Sequence, residues 1–166
     1  MKKRYLIIIL FILNLIIDLS ILSRYEFYGY TPSITIPIIV ILAMFEKKES
    51  IVYYAILQGI FQDLSFGQVI GLNALLYYLV SYYTFKNVKE NQYSLSYGNI
   101  SIIFAILFKN IFRLISSYLI NRKFYFVNIY DLVFTIIAEL IFTLVIFAIL
   151  HFIYSSMDKK RVKNLF

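Results

Sequence analysis

The sequence predicts an all-α integral membrane protein, a six-transmembrane-helix bundle forming one domain over residues 1–166. Three observations carry that reading. The chain is 61% hydrophobic and only 15% charged, where soluble domains run near 45–50% and about 25%. Its mean hydropathy is +0.80. Its apolar residues fall in six runs parted by short polar segments. About 20 apolar residues cross a hydrocarbon core of roughly 30 Å, so six spans use about 120 residues and leave room only for short loops. That excludes a sizeable soluble domain, a nucleotide-binding domain or two domains in tandem. The chain has no cysteine, which excludes disulfides, thiolate metal sites and cysteine catalysis. A single histidine, His151, excludes a His-rich metal site. No cofactor is expected.

The spans are read at about 5–23, 32–45, 51–66, 69–85, 98–121 and 131–154. The first follows Lys2-Lys3-Arg4 in the manner of a signal peptide, but Asn14 and Asp18 interrupt its apolar run and no small-residue cleavage site follows. It is therefore read as an uncleaved span. The second is short, about 21 Å as a helix. It is kept as a span, with Thr31 as its N-cap, Pro32 at its first position and a kink expected at Pro37. Spans three and four form a tight hairpin. Lys86–Tyr97 is the longest polar stretch and precedes span five. A basic tail, Lys159-Lys160-Arg161-Val162-Lys163, follows span six.

Charge orients these spans. With the N-terminus inside, eleven Lys and Arg residues fall on the cytoplasmic side: Lys2, Lys3, Arg4, Lys47, Lys48, Lys86, Lys89 and the four of the tail. Three, Arg24, Arg122 and Lys123, fall outside. Cytoplasmic loops collect positive charge, so both termini are expected in the cytoplasm. The net charge of +7 is thus read as a topology signal with contact to membrane lipid, not as affinity for nucleic acid. Tyr and Phe gather at both boundaries in place of the absent Trp. Tyr25, Phe27, Tyr28, Tyr30, Phe124, Tyr125, Phe126 and Tyr130 mark the outer side, and Tyr82, Tyr83 and Phe85 the inner side.

Five ionisable residues fall inside spans: Asp18, Asp63, Lys109, Arg113 and Glu139. Each is costly in hydrocarbon and should face protein or a water-filled cavity. Residues four apart share a helix face. Asn14 and Asp18, then Ala55, Gly59 and Asp63, then Ala105, Lys109 and Arg113, then Thr135, Glu139 and Thr143 form four such stripes. They are expected to turn inward and place the charges in one layer of the outer half. Asp63 or Glu139 is expected to pair with Arg113. Arg113→Leu should therefore harm folding more than Lys109→Leu. A proton relay or a site for a charged substrate is the sharper reading. Three acids against two bases nearly balance, which favours charges that hold helices together.

The most specific stretch is Gln58-Gly59-Ile60-Phe61-Gln62-Asp63-Leu64-Ser65-Phe66-Gly67-Gln68-Val69-Ile70-Gly71-Leu72-Asn73-Ala74-Leu75. Gly59, Asp63, Gly67 and Gly71 are each four apart. Gly67 is expected to end the third helix as a C-cap, and Gly71 and Asn73 to open the fourth. This Gly-x-x-x-Asp-x-x-x-Gly-x-x-x-Gly-x-Asn-Ala-Leu stretch resembles the signature hairpin of the rod shape-determining protein MreD family. Pro37-Ile38-Ile39-Val40 before a short basic loop is similar as well, as are the length, the six spans and the basic tail over the whole chain.

The resemblance implies a non-enzymatic membrane subunit of the bacterial cell-elongation machinery in the cytoplasmic membrane. It implies binding to an MreC-like bitopic scaffold, with MreB, RodA and its transpeptidase as further members of the assembly that supports peptidoglycan synthesis. It also implies a fold similar to the substrate-binding subunits of energy-coupling-factor vitamin transporters. Such a transporter subunit is the alternative function, but span one has no alanine for the Ala-x-x-x-Ala contact surface of those subunits. An intramembrane enzyme would draw on Asp18, Asp63 and Glu139. No dense catalytic motif surrounds them, and His151 lies towards the cytoplasmic end, so no catalytic residue is assigned.

Overall fold

The computed structural model describes residues 2–21, 33–46, 48–66, 69–90, 95–121 and 129–163. The described residues are helical apart from short turns, and they form six helices in chain order. These are α1 (Lys2–Ile16), which continues into a π-helical turn (Ile17–Ile21), α2 (Thr35–Phe45), α3 (Lys48–Phe66), α4 (Leu72–Glu90), α5 (Leu95–Asn121) and α6 (Ile129–Lys163). The Lys86–Tyr97 stretch is mostly helix: α4 extends to Glu90 and α5 resumes at Leu95. The basic tail continues α6 as helix to Lys163.

The helices surround α2. Every residue from Thr35 to Met44 is buried, and α2 packs against α3, α4, α5 and α6. A helix apolar around its whole circumference must be enclosed on all sides. Ile39, Val40, Leu42 and Ala43 are wholly covered, as are Ile51 and Ala55 of α3, Val88 of α4, and Ile102, Ala105 and Ile106 of α5.

Two details of α2 differ from expectation. The helix begins at Thr35, and the Thr31 and Pro32 cap lies outside the described residues. Pro37 is the third helical residue, where the backbone N–H would have had no intrahelical partner, so the ring fits without breaking a bond. The first bond of the helix runs from Ile38 N to Ile34 O at 3.2 Å.

Contacts along the helices give their directions. The C-terminal end of α1, the start of α2, the end of α3 and the start of α4 meet at one end of the bundle, through Asp18, Thr35, Gln62 and Asn73. At the other end Met44 of α2 and Phe147 of α6 lie beside Gly98 of α5. There Asn87 of α4 bonds Ser101 of α5, Lys48 of α3 lies 4.5 Å from the ring of Tyr82, and Phe45 and His151 pack ring to ring at 5.8 Å. Successive helices therefore run up and down in alternation.

The outward faces are apolar. Ile8, Ile12 and Ile16 of α1, Leu57, Phe61 and Leu64 of α3, Ile103, Leu107 and Ile111 of α5, and Ile137, Ile141 and Val145 of α6 are exposed. Asn14, Thr35, Gln58, Asp63, Thr84, Ser101 and Thr143 are buried. Among the described residues, two helices are long and apolar enough to cross a membrane, Ser96–Ser116 and Val133–Ile153; only 33% and 22% of their most apolar stretches is buried. A core helix of a soluble protein is mostly covered, so such exposed apolar faces mark contact with lipid or with another apolar surface.

Candidate functional site

The site lies where α1, α2, α3 and α4 meet, and it starts from helix geometry. The first four N–H groups of a helix have no partner within it and carry a partial positive charge. At the starts of both α2 and α4 a carboxylate from the preceding helical segment meets those groups.

For α2 the carboxylate is that of Asp18, within the π-helical turn. Its Oδ1 accepts the backbone N–H of Ile34 at 2.9 Å. Its Oδ2 accepts the hydroxyls of Ser33 at 2.8 Å and Thr35 at 2.7 Å and the Gln62 amide Nε2 at 3.1 Å. The N-cap residue Ile34 has no hydrogen-bonding side chain of its own, so Asp18 supplies the cap from another helix.

For α4 the carboxylate is that of Asp63, wholly buried. Its Oδ2 accepts Gly71 N at 2.8 Å and its Oδ1 accepts Asn73 N at 3.1 Å. Gly71 carries φ +103°, a backbone state that glycine adopts without the steric penalty of a Cβ. One turn before Asp63, Gly59 lies so close to α4 that an added Cβ would overlap the Cα and N of Ala74. The Ala55–Gly59 stripe thus serves an internal crossing. Gly59, Asp63, Gly71 and Asn73 act as one device: close approach, carboxylate, left-handed turn and amide donor. Gly67 lies outside the described residues.

Gln62 links the Asp18 cap to α4. Beside its bond to Asp18 it donates to Thr35 Oγ1 at 3.2 Å and accepts from the Tyr77 hydroxyl at 2.8 Å. Asn14 extends the network, donating Nδ2 to Thr35 Oγ1 at 3.1 Å and to the Tyr54 hydroxyl oxygen at 2.6 Å. Tyr54 and Tyr77 are themselves buried.

The remaining charges meet on α5 and α6. Lys109 Nζ contacts Glu139 Oε1 at 2.5 Å, with side chains 19% and 4% exposed. Asn110 Nδ2 donates to Glu139 Oε2 at 3.1 Å and to Ile106 O at 2.9 Å. The expected partnership of Asp63 or Glu139 with Arg113 is not what forms. Asp63 is committed to backbone, Glu139 to Lys109, and Arg113 is exposed on α5. The reason is register: Lys109 sits one turn deeper and faces α6, while Arg113 shares its exposed surface with Ile111, Leu114 and Ile115.

The stripes on α1, α3 and α6 are buried at Asn14 and Asp18, at Ala55 and Asp63, and at Thr135, Glu139 and Thr143. On α5 the inward face is Ser101, Ala105 and Asn110. Of the aromatic belt, Tyr130 and Tyr82 are exposed; the outer residues from Tyr25 to Tyr30 and from Phe124 to Phe126 lie outside the described residues. His151 is half-buried between the rings of Phe45 and Phe147.

Sequence reasoning missed Ser33, Thr35, Tyr54, Gln62, Tyr77 and Asn110. One signal was available: Tyr54, Gln58 and Gln62 are each four apart, a second polar stripe on α3. Comparison of the chain with protein families, with curated proteins and with solved structures finds no match.

Proposed function

We propose that the chain is a multi-pass protein of the bacterial cytoplasmic membrane, with six spans and both ends on the cytoplasmic side. In this reading it is a non-catalytic subunit of the cell-elongation machinery, as its resemblance to the MreD family implies. Its partners are an MreC-like bitopic scaffold and, through it, MreB, RodA and the transpeptidase.

The observation that supports this reading is the α3–α4 device. Within the stretch on which the resemblance rests, Gly59 serves close packing and Asp63 is bound to the backbone amides of Gly71 and Asn73. Asp18 and Glu139 are likewise engaged by structural donors. A scaffold subunit needs this kind of rigid bundle with an apolar exterior. Affinity between helices in lipid comes from shape fit and hydrogen bonds, since lipid tails are as apolar as leucine.

The short second helix is compatible with six spans. At 11 residues it is about 16 Å long, well under the hydrocarbon thickness. Protein covers its whole circumference, and non-helical backbone at membrane depth is tolerated where protein surrounds it. The alternation of helix directions supports the reading of an even number of crossings.

The test is cross-linking and pull-down from native membranes, combined with depletion. Recovery of a single-span periplasmic scaffold, with cell rounding on depletion, is the expected result. Recovery of a transporter ATPase module, with vitamin auxotrophy and unchanged shape, would favour a substrate-binding subunit instead. Reporter fusions placing residue 166 outside the cell would sink the six-span topology.

A further inference from the structure

We propose that Arg113 of α5 is the contact point for a different protein, which meets it with an Asp or Glu side chain on a membrane-spanning helix. The accounting of charges within the helices leads to this assignment. Asp18 and Asp63 are held by helix starts, and Lys109 and Glu139 hold each other. Arg113 is exposed and, among the described residues, has no hydrogen bond or ion pair. It lies one turn beyond Lys109, so the two share a helix face. Glu139 of α6 closes over Lys109. Among the described residues, no acid does the same for Arg113.

Depth and charge decide what covers it. Arg113 lies eight residues before α5 ends at Asn121, about 12 Å at 1.5 Å per residue. Side chains of a helix lean towards its N-terminus, here away from that end and deeper along the bundle. The guanidinium is therefore poorly placed to reach a lipid phosphate beyond Asn121. Its neighbours Ile111, Leu114 and Ile115 are exposed and apolar. A cation among such side chains is costly in hydrocarbon, and a carboxylate neutralises it through two parallel hydrogen bonds. A second copy of this chain would bring no free acid to that depth, because its Asp18, Asp63 and Glu139 are buried and engaged in the same way. The proposal rests on the membrane reading given above, and not on which partner that reading names.

The test uses the full chain in its native membrane, with a photo-crosslinking amino acid at Leu114 and, as a control on another face, at Ile141 of α6. Adducts are identified by mass spectrometry. The expected adduct at Leu114 is a membrane-spanning helix of another protein with an Asp or Glu within one turn of the cross-linked residue. Arg113→Gln should cut that adduct about tenfold, the scale of one interhelical polar pair in lipid, whereas Arg113→Lys should retain most of it. Exchanging the charges, with Arg113→Glu here and Arg in place of the partner's acid, should restore it. A neutral amide in place of the partner's acid should give the same loss without touching this chain, which separates lost contact from lost folding. Lipid alone at Leu114, a second copy of this chain, a partner helix without an acid, or an adduct indifferent to these changes would each overturn the proposal. Lipid adducts are expected at Ile141; their absence would overturn the membrane reading itself, and this proposal with it.

Discussion

The α1–α4 half and the α5–α6 pair solve the same problem in different ways. Each holds acids away from water. In the first half, Asp18 and Asp63 are met by backbone amides and hydroxyls at the starts of α2 and α4. In the second, Glu139 is met by the side chains of Lys109 and Asn110. A backbone cap ties the carboxylate to a helix end and fixes where that helix begins. A side-chain pair ties two helix flanks and leaves their ends free. The first half therefore sets the topology of the bundle, and the second closes its side.

The sharpest way to break the first half is at the crossing that brings its caps into reach. Gly59→Leu drives a side chain into the backbone of Ala74. Overpacking costs about 1–3 kcal/mol where side chains can yield, and here the obstacle is backbone. We expect loss of monodisperse protein in fluorescence-detected size exclusion, with Gly59→Ala intermediate. A normal yield of Gly59→Leu would mean that α3 and α4 are not in contact at this point.

In the second half, Lys109→Leu strands a buried Glu139. Removing one partner of a buried pair costs roughly 3–5 kcal/mol, whereas replacing both with apolar residues is often neutral. Lys109→Leu should thus lower the thermal midpoint strongly, and adding Glu139→Leu should restore much of it. Arg113→Leu, on the exposed face, should change little. This reverses the order expected from pairing an acid with Arg113, and circular dichroism melts of the three variants and the parent chain decide between them.

The reversal shows what was legible in the sequence. Six helices, their order and the inward stripes at Asn14, Asp18, Asp63 and Glu139 follow from periodicity, because helix faces repeat every three to four residues. The choice of partner does not. It depends on axial register between helices far apart in the chain, and a one-turn offset exchanges Lys109 for Arg113. The caps were hidden for a different reason: their donors are backbone amides, which every residue carries. Asp18 therefore reads as a charge in need of a counter-charge, and nothing in its neighbours names Ile34 as the partner. The start of α2 moved from Pro32 to Thr35 for the same cause, since the cap that fixes it comes from another helix.

A smaller effect separates the two caps. Asp63→Asn keeps the shape but removes the charge facing two amides, and losing a helix cap costs about 0.5–2 kcal/mol. Asp18→Asn should cost more, since the asparagine amide group would face donors from Ser33, Ile34, Thr35 and Gln62 and can accept through only one atom. Urea or SDS unfolding of the two variants measures the difference. Equal losses would show that the hydroxyls of Ser33 and Thr35 turn round to accept from the new amide. In that case the network around α2 adapts as readily as the one around α4.

The mildest change tests whether the α4 cap depends on backbone shape or on space. At Gly71 a Cβ would meet nothing within 4 Å, so room is available, yet its φ of +103° strains any L-residue. At Gly98 a Cβ would lie 2.8 Å from Phe147 Cζ, so the restriction there is packing. Gly71→Ala should cost about 1–2 kcal/mol, the usual scale for left-handed backbone in a non-glycine residue. No trimming of a neighbour should relieve it. Gly98→Ala should be relieved by Phe147→Leu, which removes the ring in the way. If Gly71→Ala melts at the temperature of the parent chain, the turn into α4 relaxes to negative φ without cost, and Asp63 holds its two amides in more than one backbone geometry.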